Sequence, residues 1–503
     1  MTIIDNDLLS IQKARILAEN AFEAQKRLAA FSQEKLDEIV ECIADAAGKQ
    51  AQALAVMSHE ETEYGRWQDK YVKNGFVCGH VRRHLRGLRC VGIIGEDRQK
   101  QIMDVGVPMG VIAALCPATS PVSTTIYKAL IAIKSGNAIV FSPHPRAIKS
   151  IGHVLDIMID AAHSKGLPEG SLAYLDTVTS GGTFELMAHR ATSLILNTGV
   201  PGMLPSCYRA GKPLIYAGTG NGPAFIERTA DIRQAVRDII LSKTFDNGIV
   251  SSAEQSVVVD SCRADEVRQE FCQQGAYFMS EKESLELGAL FYRPDGKPSS
   301  RMIGVSAATL ARRAGFDVPD HVRVLIADRK YVSPDDPYSR GLMGPVLALY
   351  VEDDWMGACE KCIELLLSER NGHTLVIHSR DEEVIRQFAL KKPVGRMLVN
   401  TPATFGGMGA TTNLFPSMTL GSGSAGDGFT SDNVSPMNLI YIRKIGYGVR
   451  SAESMGYDVC PVETVPCLSG NPGPKGLDIK SMQTLHRILR EAVQVLDRPG
   501  NRY

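Results

Sequence analysis

The chain has 503 residues, long enough for two or three domains around large buried cores. Hydrophobic residues make up 44% and charged residues 22%, and the formal net charge is −1, so nothing in the balance favours nucleic acid or anionic lipid as a partner. No continuous apolar run reaches about 18 residues, which excludes a membrane-spanning helix. Met1 to Asp7 is polar and acidic, unlike an export signal, so the expected location is the cytoplasm. The 11 cysteines are scattered without metal-type or framework spacing and read as reduced thiols.

In chain order, residues 8–57 are rich in Ala, Leu and Glu at three-to-four spacing and predict two helices. From Val91 onward, short β-rich runs (VGIIG, GVIAAL, NAIVFS, SLAYLD, SLILN, PLIYAG) alternate with helical stretches at 122–134, 146–165 and 182–190. After Thr244 a second series follows: SVVVD, a helix, VRVLIAD, PVLALYV, a helix at 354–368, HTLVIHS and MLVNTP. Apolar strands alternating with helices predict parallel sheets covered on both faces, hence an α/β protein with two domains dividing near 225–245. In the helix at 354–368, Cys359 and Cys362 form a C-x-x-C that reads as a core-facing pair rather than a redox motif. Residues 401–436, rich in Gly, Ser, Thr, Asn and Pro, form a long aperiodic stretch of the kind that tends to be functional. The tail opens with LSGNPGPKG, a linker composition, and leads into Leu477–Leu496, whose apolar residues share one helical face.

Several turns offer chemistry. Thr198–Gly202 (TGVPG) follows an apolar strand, and Thr198, Gly199 and Gly202 suit a pyrophosphate or nicotinamide ring against backbone amides, although taken alone a plain αβ turn is the better reading. Gly218 and Gly220, after PLIYAG, permit close approach of a ligand to the backbone, or simply a tight turn. In FSPHPRA, Ser142, His144 and Arg146 present polar groups at a strand end, and Pro143 and Pro145 stiffen it. TFDNGIVSSAEQSVVV places Ser251 and Ser252 in a loop able to present a nucleophile, but no base is visible beside them in one dimension. His373 stands at a loop-to-strand junction, where a histidine is structural or catalytic.

Four long blocks together carry a resemblance: EETEYGRWQDKYVKN, VGVPMGVIAALCPATSPVSTTIYKALIAIKSGNAIVFSPHPRA, SKTFDNGIVSSAEQSVVV, and NTPATFGGMGATTNLFPSMTLGSGSAGDGFTSDNVSPMNL. From about residue 10 to 445 the chain resembles the CoA-acylating aldehyde dehydrogenases, above all the aldehyde domain of the bifunctional alcohol/aldehyde enzymes. The resemblance implies the aldehyde-dehydrogenase fold: two Rossmann-like α/β domains plus an oligomerisation β-hairpin. On that reading, 1–235 is the nucleotide-binding domain with an arm near 91–108, and 236–435 is the catalytic domain. Residues 436–467 carry the return strand and oligomerisation region, and 468–503 the linker and terminal helix. It further implies a homodimer or homotetramer, NAD or NADP as cofactor, and a short aldehyde and coenzyme A as substrates. The family's thiolate adds to the aldehyde, hydride leaves for the nicotinamide, and the CoA thiol then takes the acyl group. Where hydrolytic relatives carry a glutamate base, this chain has Tyr216, which favours CoA over water.

The sequence departs from that pattern at three roles. The cysteine position is Ser251, whose hydroxyl is far harder to ionise than a thiol of pKa about 8.5. The oxyanion asparagine is Ser120, and losing one such donor costs roughly 2.7–4 kcal/mol. The ribose-holding glutamate is Gly341. With His373 as acid/base by resemblance, Ser251, Ser120 and His373 are the candidate catalytic set. Cys116, near Ser120, is an alternative nucleophile in sequence, but it reads better as a buried small residue at the end of a strand. Three expectations follow: a working acylating dehydrogenase, a non-catalytic subunit beside an active paralogue, and, compatible with either, a tail that docks in a bacterial microcompartment shell or on its own protein.

Overall fold

The computed structural model describes residues 5–456 apart from 295, 370 and 371, together with 484, 487 and 488. Two all-parallel sheets dominate it. The first has the strands Leu172–Tyr174, Ala138–Ser142, Val111–Leu115, Thr192–Thr198 and Leu214–Ala217 in that spatial order. The second has Ala276–Phe278, Val324–Asp328, Val346–Glu352, Glu254–Asp260, Gly222–Ile226, Thr374–His378 and Arg396–Val399. The central strands are buried along their whole length, the pattern that helices on both faces impose. A third sheet of three strands joins Gly92–Asp97, Ile102–Pro108 and Ile440–Gly446, the first two antiparallel. It keeps Ile93, Tyr441 and Ile442 exposed, with Lys444 Nζ 2.8 Å from Asp104 Oδ2 across it.

Residues 8–57 lie in three helices rather than two: Asn6–Leu28, Gln33–Lys49 and Ala51–Thr62. The extra break falls at Gln50, whose backbone leaves the helical region between two amphipathic stretches of similar composition. The first helix buries Ala14, Ala18, Ala21 and Ala24 along one face, and its Ser10 packs on Gly182 of the helix Ser180–Ala188. The change from one sheet to the other falls between Ala217 and Gly222, earlier than residue 235 and earlier than the 225–245 interval. Gly222–Ile226 escapes sequence reading because it opens Gly-Pro. Pro223 is tolerated because it sits at the strand's start, where the register with Glu254–Asp260 shifts.

Residues 401–436 hold two short helical pieces, Ala403–Gly407 and Ser424–Gly426, an isolated bridge between Leu420 and Asn433, and otherwise turns and bends. Their carbonyls are satisfied from outside: buried Arg396 donates to Gly421 O at 2.7 Å and Ser431 O at 2.9 Å, and Tyr127 Oη donates to Val434 O. Beyond Ile445 the described residues include a short turn, Ala452–Met455. The expected linker and terminal helix from residue 468 lie outside the described residues but for three positions. Among the described residues, no helix is long and apolar enough to cross a membrane, and no group of three His, Cys, Asp or Glu could hold a metal.

Candidate active site

A cleft of about 280 Å³ is lined by Ser120, His144, Thr198, Gly199, Gly218, Gly220, Ser251, Gly341 and Glu369, among others. One wall is the carboxyl edge of the first sheet, where the strands ending at Leu115, Ser142, Thr198 and Ala217 release their loops. The opposite wall is the amino edge of the second sheet: Ser251 lies in the loop three residues before the strand from Glu254, and His373, immediately before the strand from Thr374, is buried behind it.

Ser251 and His373, 122 residues apart, meet with Ser251 Oγ 3.3 Å from His373 Nε2. His373 is fully buried, and its Nδ1 lies 2.8 Å from Thr374 Oγ1. The same Nδ1 lies 3.4 Å from the Arg396 guanidinium, so the nitrogen turned away from the serine is shared between a hydroxyl and a group that only donates. Arg396 fixes the histidine's backbone by donating to His373 O at 2.9 Å. Burial first, then the Arg396 charge, hold the imidazole well below its ordinary 6.5 despite a contrary pull from the Leu420 carbonyl, so it is neutral at physiological pH. Gly220 closes this corner. A Cβ there would stand 2.1 Å from Ser251 O and 3.2 Å from His373 Cβ, so only glycine lets the loop pass.

The serine loop is held under backbone strain. Asp246 (φ 50°), Asn247 (φ 53°) and Gly248 (φ 73°) are consecutively left-handed. The strain is sustained from the helix Trp67–Gly75 and the residues before it. Arg66 N donates to Asp246 Oδ1 at 2.7 Å, Asp69 Oδ2 accepts from Asp246 N at 2.9 Å, and buried Lys70 and Lys73 both pair with the Asp246 carboxylate. A Cβ at Gly65 would lie 1.8 Å from Asp246 Oδ1, which makes that position glycine. Burial pushes the Asp246 carboxyl up, yet Lys70 and Lys73 outweigh it and its pKa ends below the ordinary value. Lys70 is itself lowered to about 8 by burial.

Lys73 Nζ also donates to Ser120 Oγ at 2.6 Å. An ammonium only donates, so the Ser120 hydroxyl must accept from it and has its own proton left to give. Ser120 precedes the helix Pro121–Lys134 without capping it, consistent with its oxygen being taken by Lys73.

The remaining candidates divide. Thr198 and Gly199 line the cleft, with Thr198 Oγ1 3.0 Å from Thr419 Oγ1. Gly202 lies on the exposed turn Pro201–Met203, outside the cleft lining. Ser142 is buried with its hydroxyl 2.8 Å from Thr183 Oγ1, and with Pro145 it borders a smaller adjoining pocket of about 70 Å³. His144 borders both. Cys116 is fully buried under Thr125, and burial raises its thiol, so it has no thiolate to offer. Cys359 and Cys362 are buried free thiols on the helix Trp355–Ser368. Tyr216 is buried, and burial raises its hydroxyl to about 12.

Sequence reading missed Glu369. It is the one carboxylate among the described cleft-lining residues, accepting from Gly341 N at 2.8 Å and Arg340 Nε at 2.8 Å. A Cβ at Gly341 would sit 2.8 Å from Gly220 O, so a longer side chain there would displace the Gly220 turn. It also missed Lys70, Lys73 and Asp246. The signal available was the spacing of Asp69, Lys70 and Lys73, which puts three charges on one helical face.

Two parallel-sheet halves meeting carboxyl edge to amino edge, with glycine turns on one side and a serine–histidine contact on the other, define a two-domain α/β architecture of enzyme type. Residues 5–295 match the aldehyde dehydrogenase family, and the chain belongs to that family. It is 35% identical over 457 residues to the bifunctional aldehyde-alcohol dehydrogenase AdhE of Escherichia coli K12, covering 90% of this chain and 51% of AdhE. The chain thus spans about half the length of the bifunctional relatives it matches. A probable aldehyde dehydrogenase of Listeria monocytogenes superposes with a TM-score of 0.88 at 48% identity, covering 90% of this chain and 100% of that one. An acetylating aldehyde dehydrogenase of Geobacillus thermoglucosidasius does so at 0.86 and 40%, covering 89% and 99%. The fold is the aldehyde-dehydrogenase fold, and the homologues include CoA-acylating aldehyde dehydrogenases.

Proposed function

We propose that the chain is an aldehyde-oxidising, CoA-acylating enzyme of the NAD(P)-dependent type in which Ser251 occupies the nucleophile position. The observation that carries this reading is that Ser251 and proton-donating Ser120 line one glycine-walled cleft, with neutral His373 buried 3.3 Å behind Ser251. The turns at Thr198–Gly199 and Gly218–Gly220 fit a dinucleotide, because they offer backbone without side-chain bulk on the cleft wall. A bound nicotinamide supplies the hydride acceptor. In this reading Ser251 Oγ adds to a short aldehyde as its proton passes to His373 Nε2, and the Ser120 hydroxyl donates to the developing oxyanion. Tyr216 gives no carboxylate to activate water, which leaves the CoA thiol as acceptor.

The substitution at Ser251 favours a second reading, a subunit that retains the fold and nucleotide pocket with little turnover. Release of an acyl group from an oxygen ester to a thiol is uphill, and the hydroxyl resists ionisation. A homodimer or homotetramer through the exposed strand Ile440–Gly446, assembly with an active paralogue, and a microcompartment address in the tail belong to this proposal as well.

The test follows NAD(P)H absorbance with NAD or NADP, CoA and a panel of short aldehydes, with Ser251→Cys run in parallel. Ser251→Cys is expected to reduce cofactor only when both aldehyde and CoA are present, at least about 100-fold faster than the serine chain. Silence from both proteins while nucleotide still binds overturns the catalytic reading in favour of the second.

A further inference from the structure

We infer that Ser251 accepts acyl groups from acyl-CoA thioesters, so that the cleft cleaves thioesters by way of an acyl-serine, without any redox step. The inference rests on the reading of the cleft as an acyl-CoA pocket, but not on hydride transfer.

The geometry is that of an oriented serine–histidine pair. Ser251 Oγ lies 3.3 Å from His373 Nε2, and the other ring nitrogen is held 2.8 Å from Thr374 Oγ1 and 3.4 Å from the Arg396 guanidinium. A nucleophile, a base, and a third group that orients the base are the parts that serine acyl transfer requires. Ser120 adds a fourth. Its oxygen is occupied by Lys73, so its proton points elsewhere, and both Ser120 and Ser251 line the same cleft. A hydroxyl polarised by a buried ammonium is well suited to a carbonyl oxygen that is gaining charge.

The substitution that hinders aldehyde oxidation favours this direction. With a cysteine, exchange between enzyme and CoA is thioester for thioester and close to balanced. With serine, the acyl group moves from a thioester to the more stable oxygen ester, so acylation runs downhill and its reversal uphill. The Ser251 Oγ–H bond breaks and its proton passes to His373 Nε2. Oγ bonds to the acyl carbon, the carbon–sulfur bond breaks, and His373 returns the proton to the departing CoA sulfur. In the second step water adds to the acyl-serine carbonyl, giving a proton to His373. The Oγ–carbon bond then breaks and Oγ recovers that proton. The sum is acyl-CoA plus water giving CoA and a carboxylic acid, with nothing oxidised or reduced. Because Tyr216 stands where a carboxylate base would activate water, the second step is the slower one and the acyl-serine accumulates.

The experiment mixes the full chain with acetyl-CoA, without nicotinamide cofactor, and follows free thiol together with intact-protein mass. The expected result is a rapid release of about one CoA per chain, a mass gain of one acetyl group located on Ser251, and slower turnover afterwards. Ser251→Ala abolishes both signals, and His373→Gln slows the rapid phase by about 10²–10⁴-fold. In Ser251→Cys, added free CoA removes the acetyl group, whereas the serine adduct resists it. No thiol release and no adduct overturn the inference, whether or not acetyl-CoA binds. The two readings separate cleanly. Thioester cleavage without aldehyde-dependent reduction leaves this inference standing and removes the dehydrogenase reading from the serine chain. Aldehyde- and CoA-dependent reduction without an acyl-serine from acetyl-CoA does the opposite.

Discussion

Two serines face the same cleft with opposite partners. Ser251 meets a buried neutral imidazole, which can take its proton; Ser120 meets a buried ammonium, which cannot. The first environment makes a hydroxyl a nucleophile and the second makes it a hydrogen-bond donor, although neither differs as a residue. Chemical role here is assigned by the neighbour's proton inventory, and each neighbour is held by a different network: His373 by Thr374 and Arg396, Lys73 by Asp246.

The most damaging way to break the contrast is through Asp246. Asp246→Asn leaves Lys70 and Lys73 buried without a carboxylate and removes the anchor of three left-handed residues. A stability loss of about 3–5 kcal/mol is expected, read as a lower midpoint in urea. Next, Ser120→Ala removes the donor but neither the nucleophile nor its base. The rate of Ser251 acylation, or of aldehyde-dependent reduction in Ser251→Cys, should fall about 10²–10³-fold, with thermal stability nearly unchanged. An unchanged rate would show that Ser120 is only a terminus of the Lys73 network. The smallest effect sharpens the Ser251 side by titration. His373 and His378 are both buried, and burial lowers both, His378 to about 4. The unfolded chain therefore binds these protons first on acidification. Stability present above the ordinary 6.5 is lost as pH falls, for His378 across 6.5 to about 4, by roughly 3 kcal/mol. Thermal melts at pH 7, 5.5 and 4.5 check this, and His378→Gln should flatten part of the slope.

The fold was largely legible because its strands are continuous apolar runs punctuated by glycine turns, a pattern that local reading captures. Gly222–Ile226 was not, since a proline at its second position argues against a central strand unless the register shift is known. The break at Gln50 was hidden because both flanking helices have the same composition. In the site, Ser251 and Ser120 were found by position in family-like blocks. Their partners were not assignable, because Lys73 lies 47 residues from Ser120 and His373 lies 122 from Ser251. His373 was nameable from its loop-to-strand position, but its acid/base role came only through the resemblance. Glu369 had no signal at all: its approach to Gly341 depends on the helix Trp355–Ser368 ending where it does.

The meeting of a carboxyl edge with an amino edge has a mechanical consequence. The two walls are tied together: Lys73 reaches both Asp246 behind the serine loop and Ser120 on the facing edge, and the Gly220 turn runs against Ser251 O. A side chain altered on one wall is therefore felt on the other, and the cleft behaves as one mechanical unit rather than two facing halves.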